Sequence, residues 1–145
     1  MKKAAVLLSG CGVYDGAEIH ESVFTLLALK QHGIDYHCFA PNKKQMHVVN
    51  HISGDEMPEE RNVLTESARI ARGAISDLSE LKVAEYDALV IPGGFGAAKN
   101  LNQWAVKGPE GEIDSEVKKA IKSFRENNKA ILALCMGPTV VSQAL

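Results

Sequence analysis

Cys135 is the residue in this sequence best placed to do chemistry. It stands in Ala133–Pro138, ALCMGP, directly after the apolar run Lys129–Leu134, KAILAL. A nucleophile on a tight strand-to-helix turn with small neighbours projects out of the end of a sheet, most often as G-x-S-x-G. Strand, nucleophile, one residue and glycine are all present here, with Ala133 in place of the first glycine. The backbone N–H of Met136 would then sit beside the sulfur and face a developing oxyanion. The N-terminus of a following helix would favour the thiolate. The same local pattern also suits a small buried hydrophobe, a common role for a free cysteine.

Two other stretches carry groups that a reactive thiol needs. Pro92–Gly96, PGGFG, follows an apolar run. Adjacent glycines let backbone N–H groups approach a ligand closely, so Gly93 and Gly94 are candidate binding residues. The N–H of Gly94 can complete an oxyanion hole with that of Met136; a plain turn is the alternative. Glu18 and Glu21 lie three apart near the start of a helix, so they share a face. They suit a solvated first turn, where acids favour the helix dipole. Equally, one of them can pack under the thiol, tune it and shuttle a proton. His20 projects elsewhere. His32, His37, His47 and His51 have no metal-ligand spacing and read as surface or loop residues. Gly10–Gly16, GCGVYDG, has one residue too many for a dinucleotide fingerprint. The strand that should end in a ribose-binding acid ends in Ala40-Pro41, with Asp35 at its beginning instead. NAD is therefore not expected.

The elements that must position these groups follow from hydrophobic patterning. Ala4–Leu8 is a short apolar run suited to a central parallel strand. Ala17–Gln31 reads as a helix with Ile19, Val23, Phe24, Leu26, Leu27 and Leu29 on its apolar side, stopped by Gly33. Tyr36–Ala40 is the second strand. Asn42–Pro58 is polar, with HVVNHI a possible short strand. Leu64–Arg72 is a helix ended by Gly73, and Ser76–Leu81 a helical turn capped by Ser76. Ala88–Ile91 is a strand. Asp114–Asn127 is an amphipathic helix, capped by Asp114, that turns Val117, Ala120, Ile121 and Phe124 inward. Ala130–Leu134 is the last strand, and a helix starts at Gly137. Strands alternating with helices predict one α/β domain, 1–145, with a mostly parallel sheet. Ligands bind at the carboxyl ends of such strands, which selects the loops Ser9–Gly16, Pro92–Gly96 and Cys135–Pro138.

Bulk properties narrow the partners. The chain has 145 residues, 46% apolar and 23% charged, with a net charge of −2 and no basic stripe. Nucleic acid is not an expected partner, and no apolar run is long enough to span a bilayer. Three cysteines without a CxxC argue against both a disulfide framework and a zinc site. A reduced, cytoplasmic setting is expected. MKKAAVLLSGC looks like a lipoprotein cleavage site, but its five-residue apolar run is shorter than a signal h-region. It reads better as the first buried strand.

Taken together, these stretches resemble the ThiJ/PfpI superfamily, within the class I glutamine amidotransferase-like fold. ALCMGPTVV is similar to its cysteine elbow, and DALVIPGGFGAAKNL to its Pro-Gly-Gly strand and loop. ESVFTLLALKQHGIDYHCFAP is similar to its first helix and second strand. LSGCGVYDGAEIHE, NHISGDEMPEERNVLTESARIARG and LVIPGGFGAAKNL resemble the ElbB-type subfamily, also called enhancing lycopene biosynthesis protein 2 or sigma cross-reacting protein. The LCMGP elbow is closer to the wider superfamily. The resemblance implies a flavodoxin-like α/β/α sandwich with Cys135 as nucleophile, Glu21 as the thiol-contacting glutamate, and Gly93 and Gly94 as the oxyanion loop. It also implies glutathione-independent conversion of glyoxal to glycolate or a related deglycase activity, with no metal or organic cofactor, and a homodimer. A non-catalytic redox-sensing or regulatory protein linked to isoprenoid biosynthesis is the alternative. A glutaminase-type hydrolase ranks behind both, because no histidine follows Cys135 here. Superfamily members continue past the elbow with further strands and a closing helix, so the chain reads as C-terminally truncated.

Overall fold

The computed structural model describes residues 2–145. Apolar runs and glycine stops produce strands and helices in alternation. They are β1 Lys3–Leu7, α1 Ile19–Gln31, β2 Asp35–Ala40, β3 Val48–Val49, β4 Glu56–Met57, α2 Val63–Ala71 and β5 Ile75–Asp77. After these come β6 Ala88–Ile91, α3 Trp104–Lys107, α4 Ser115–Glu126, β7 Ala130–Ala133 and α5 Gly137–Ala144. The main sheet has the order β5-β2-β1-β6-β7, parallel throughout. Strands β3 and β4 form a separate antiparallel ribbon.

Side chains alternate across the sheet and build two cores. Ala5, Leu7, Leu89 and Ile91 face Val117, Ile121 and Phe124 of α4 and Val140 of α5. Ala4, Val6, Cys38 and Val90 face Leu26 of α1 and Ile70 of α2. This is the expected flavodoxin-like three-layer sandwich. Chain order reverses direction between β1 and β6, so the crevice at their carboxyl ends is the natural ligand position.

Two expectations about elements do not hold. Leu26 and Leu29 of α1 turn toward the core, but Ile19, Val23, Phe24 and Leu27 are exposed. A helix apolar on most of its circumference does not reveal from periodicity which face will be covered. Ser76 does not cap a helix. It lies in β5, whose Ile75–Asp77 pairs with Cys38–Ala40, and Asp77 caps the 3-10 turn Leu78–Glu80 instead. The ladder to β2 satisfies more backbone groups than a one-turn helix would. Elsewhere the helix signals act as read. Asp114 caps α4 through Glu116 and Val117, Gly33 takes a left-handed φ of 68° after α1, and HVVNHI supplies β3.

Candidate active site

The thiol lies where the last strand gives way to a helix. Strand β7 ends at Ala133 and α5 begins at Gly137, and within that turn Cys135 takes a φ of 53°. The left-handed region costs an L-residue roughly 1–2 kcal/mol, so this backbone is held by its surroundings. The hydrogen bonds Leu134 N–H to Ile91 O, 3.0 Å, and Gly137 N–H to Leu134 O, 2.7 Å, close the turn on both sides. The result is an exposed Cys135 at the carboxyl end of the sheet. Cys38 and Cys11, by contrast, are buried and half-buried.

Gly93 fills the space beside the thiol. A Cβ there would stand 2.5 Å from Cys135 Cβ and 2.8 Å from the Met136 nitrogen, so only glycine admits the two loops to this approach. The first turn of α1 clamps the same residue. Its N–H donates to Glu21 Oε1 at 3.0 Å, and its carbonyl accepts from the Glu18 N–H at 3.0 Å. The structure thereby brings Cys135, Glu21, Gly93, Gly94 and Met136 into one cluster. It also divides their labour. The Gly93 amide is engaged with Glu21. The amides of Gly94 and Met136 have no hydrogen-bond partner among the described residues. Glu18 is not a second thiol carboxylate. It caps α1, accepting from the Glu21 N–H at 2.5 Å.

Gly94 is placed by the loop after β1. Its φ of 86° and its approach to the Gly16 carbonyl and the Glu18 nitrogen leave no room for a side chain. Phe95 N–H donates to Val13 O at 2.7 Å, and Gly96 N–H to Gly16 O at 3.0 Å. A buried polar network holds that loop in turn. Asn100 Nδ2 donates to Ser9 O and Asp15 O, while its Oδ1 accepts from Met46 N–H. Asp15 Oδ2 accepts from Val49 N–H, and Ser67 Oγ from Gly10 N–H. Sequence reasoning missed Asn100, Asp15 and Ser67, since a buried polar residue cannot be told in sequence from a solvated one. It also passed over His51, whose ring nitrogens face Val13 N, Tyr14 N and Val49 O.

Burial separates the thiols electrostatically. Desolvation in the core pushes the Cys38 thiol up to about 12. Cys11 is also raised, first by burial and then by the nearby Glu66 carboxylate. Desolvation lowers the Lys99 ammonium, whose Nζ donates to Tyr14 O at 2.6 Å.

Comparison with known proteins agrees with this geometry. The model of the DJ-1/PfpI family matches residues 2–145. The chain is 48% identical over 144 residues to a human protein named glutamine amidotransferase-like class 1 domain-containing protein 3, mitochondrial. That match takes in 99% of this chain and 54% of the human one. It is 46% identical over 144 residues to the rat ES1 protein homolog, mitochondrial, again 99% and 54%. Among solved structures, an Ehrlichia chaffeensis isoprenoid biosynthesis protein with an amidotransferase-like domain superposes with a TM-score of 0.94 at 44% identity. It covers 100% of this chain and 66% of that one. The chain thus spans about half the length of the mammalian relatives. The cytoplasmic setting expected from the cysteines does not stand, because the human, rat and zebrafish relatives are named as mitochondrial proteins. Unpaired cysteines report a reducing environment and do not identify the compartment that maintains it.

Proposed function

The chain belongs to the DJ-1/PfpI family, and on that premise we propose that it carries the thiol centre of a glutathione-independent glyoxalase, turning glyoxal into glycolate. The observation that carries this reading is the exposed Cys135 on a left-handed elbow, packed against Gly93, whose amide is held by Glu21. Cys135 thiolate adds to one carbonyl carbon and forms a hemithioacetal. The oxyanion is received by the amides of Gly94 and Met136, both without protein partners. Glu21 Oε2 has no hydrogen bond among the described residues and serves as the proton carrier. It removes the proton from the sulfur-bearing carbon and returns it to the neighbouring carbon, giving a glycolyl thioester. Water cleaves the thioester to glycolate and regenerates the thiol. Glyoxal plus one water equals glycolic acid, so no oxidant or reductant enters.

The test is glycolate formation from glyoxal by the purified protein and by its Cys135→Ser variant. Turnover in the first and its loss in the second is expected. No glycolate from the wild type, or equal turnover by the variant, would sink the reading. A redox-sensing role uses the same exposed sulfur, oxidised by peroxide to the sulfinic acid. In that case peroxide adds 32 Da to the Cys135 peptide, about the mass of two oxygens, and aldehyde turnover is absent.

A further inference from the structure

The candidate oxyanion donor Gly94 N–H is only as well placed as the loop that carries it. That loop is tied to the Gly10–Gly16 loop by Phe95 N–H to Val13 O at 2.7 Å. Val13 is held in turn by His51. Nε2 of His51 lies 3.1 Å from Val13 N and 3.2 Å from Tyr14 N. Both are backbone donors, so Nε2 must offer a lone pair. Nδ1 lies 2.9 Å from the Val49 carbonyl, an acceptor, so Nδ1 must carry the proton. These three hydrogen bonds therefore call for the neutral ring with its hydrogen on Nδ1. Val49 is itself anchored through its N–H to Asp15 Oδ2 at 2.8 Å.

We infer that neutral His51 is a positioning residue for the Gly94 loop, acting through Val13 and Phe95, and that its protonation releases that loop. A proton on Nε2 would point at two N–H groups and break both bonds. The charged group facing the ring is Asp15, whose Oδ1 is 3.7 Å from Nε2 and which is 5% exposed. The other titratable neighbour is Tyr14, stacked on the imidazole at 4.7 Å between centroids. Asp15 offers the imidazolium a new partner, so the acid state has its own arrangement: ring turned to Asp15, Val13 and Tyr14 amides free. His51 touches no reacting atom. Its role in catalysis rests on the aldehyde reading above, whereas its role in holding the loop does not.

The experiment compares wild type with His51→Gln and His51→Ala. Glutamine can accept from the two amides and donate to Val49 O, but it does not titrate. Amide exchange at Val13, Tyr14 and Phe95 is followed by NMR from pH 8 to 5 and corrected for intrinsic rates. In wild type, protection at all three falls at least about tenfold between pH 8 and pH 5, as the imidazole takes up a proton. His51→Gln keeps its protection throughout, and His51→Ala lacks it at every pH. Wild-type protection that is flat with pH, or that falls identically in His51→Gln, overturns the inference. Glyoxal turnover is measured in parallel as an acid limb present in wild type and absent in His51→Gln. An exchange step without any glycolate overturns the aldehyde reading and upholds the loop lock. Turnover with the same acid limb in both proteins overturns the positioning role.

Discussion

Cys38 and Cys135 belong to the same sheet and have opposite fates. Cys38 sits inside β2, paired on one side with Val6 and on the other with Ile75, and is 0% exposed. Its thiol has no charged partner and is held protonated by desolvation alone. Cys135 lies two residues past the end of β7, an edge strand whose Leu132 is exposed, as is Leu134 just beyond it. There the backbone turns left-handed and lifts the sulfur out of the sheet. One side chain is thus buried packing in one place and an exposed thiol in the other. The difference is made by strand position and by one turn of backbone.

Four measurements sharpen or break this contrast, in descending size of effect. The first is alkylation. The rise of the Cys38 thiol from 9.0 to about 12 lowers its thiolate fraction at pH 8 by about 10³. Burial slows it further. Iodoacetamide applied to the native protein at pH 8 is expected to modify Cys135 at least about 10³-fold faster than Cys38, by peptide mass spectrometry. Similar rates would erase the comparison. Cys38 reactivity should still be climbing as pH approaches 12, because its thiolate forms only there.

The second is substitution at the two sites. Cys135→Ser is expected to lower kcat/KM for glyoxal by roughly 10²–10³ with little change in melting temperature. Cys38→Ser should do the reverse. It buries a hydroxyl among Ala4, Val6 and Ile70, costing about 1–3 kcal/mol with turnover retained. Third, Glu21→Gln keeps an oxygen for the Gly93 amide but removes the proposed proton carrier, so turnover is expected to fall about 10²-fold while stability changes by less than about 1 kcal/mol. Glu21→Ala leaves the Gly93 N–H unpaired and adds a stability loss of about 1–3 kcal/mol. Equal turnover in Glu21→Gln and wild type would leave Glu21 a structural clamp only. Fourth, Cys135→Gly should leave stability unchanged or raise it by up to about 1 kcal/mol. It relieves the left-handed backbone and removes an exposed side chain. A clear loss by thermal denaturation would show that the sulfur packs, contrary to its exposure.

Much of this centre is visible in the residue order. KAILAL followed by CMGP specifies a strand, a tight turn carrying Cys135 and a helix start, because each is set by neighbours a few residues away. The Pro-Gly-Gly loop announces a close backbone approach for the same reason. Glu21 was a candidate from its place in the first helical turn, but its function as a clamp was not. Its partner, the Gly93 amide, is 72 positions away. The exposed side of α1 was misjudged because Ile19, Val23, Phe24 and Leu27 are apolar yet no element covers them.

By itself, then, the sequence determined the alternation of strands and helices, the three carboxyl-end loops and the elbow that carries Cys135. These follow from local propensity and hydrophobic period, which act over one or two turns of chain. Tertiary structure alone decided which amides remain free, that Glu21 clamps the Gly93 amide, and that His51 takes up the amides of Val13 and Tyr14. Those outcomes depend on hydrogen bonds between residues 37 to 72 positions apart, such as Tyr14 with His51 and Gly93 with Glu21. A hydrogen bond exists or fails within a few tenths of an ångström, and no pattern along the chain sets a distance that fine.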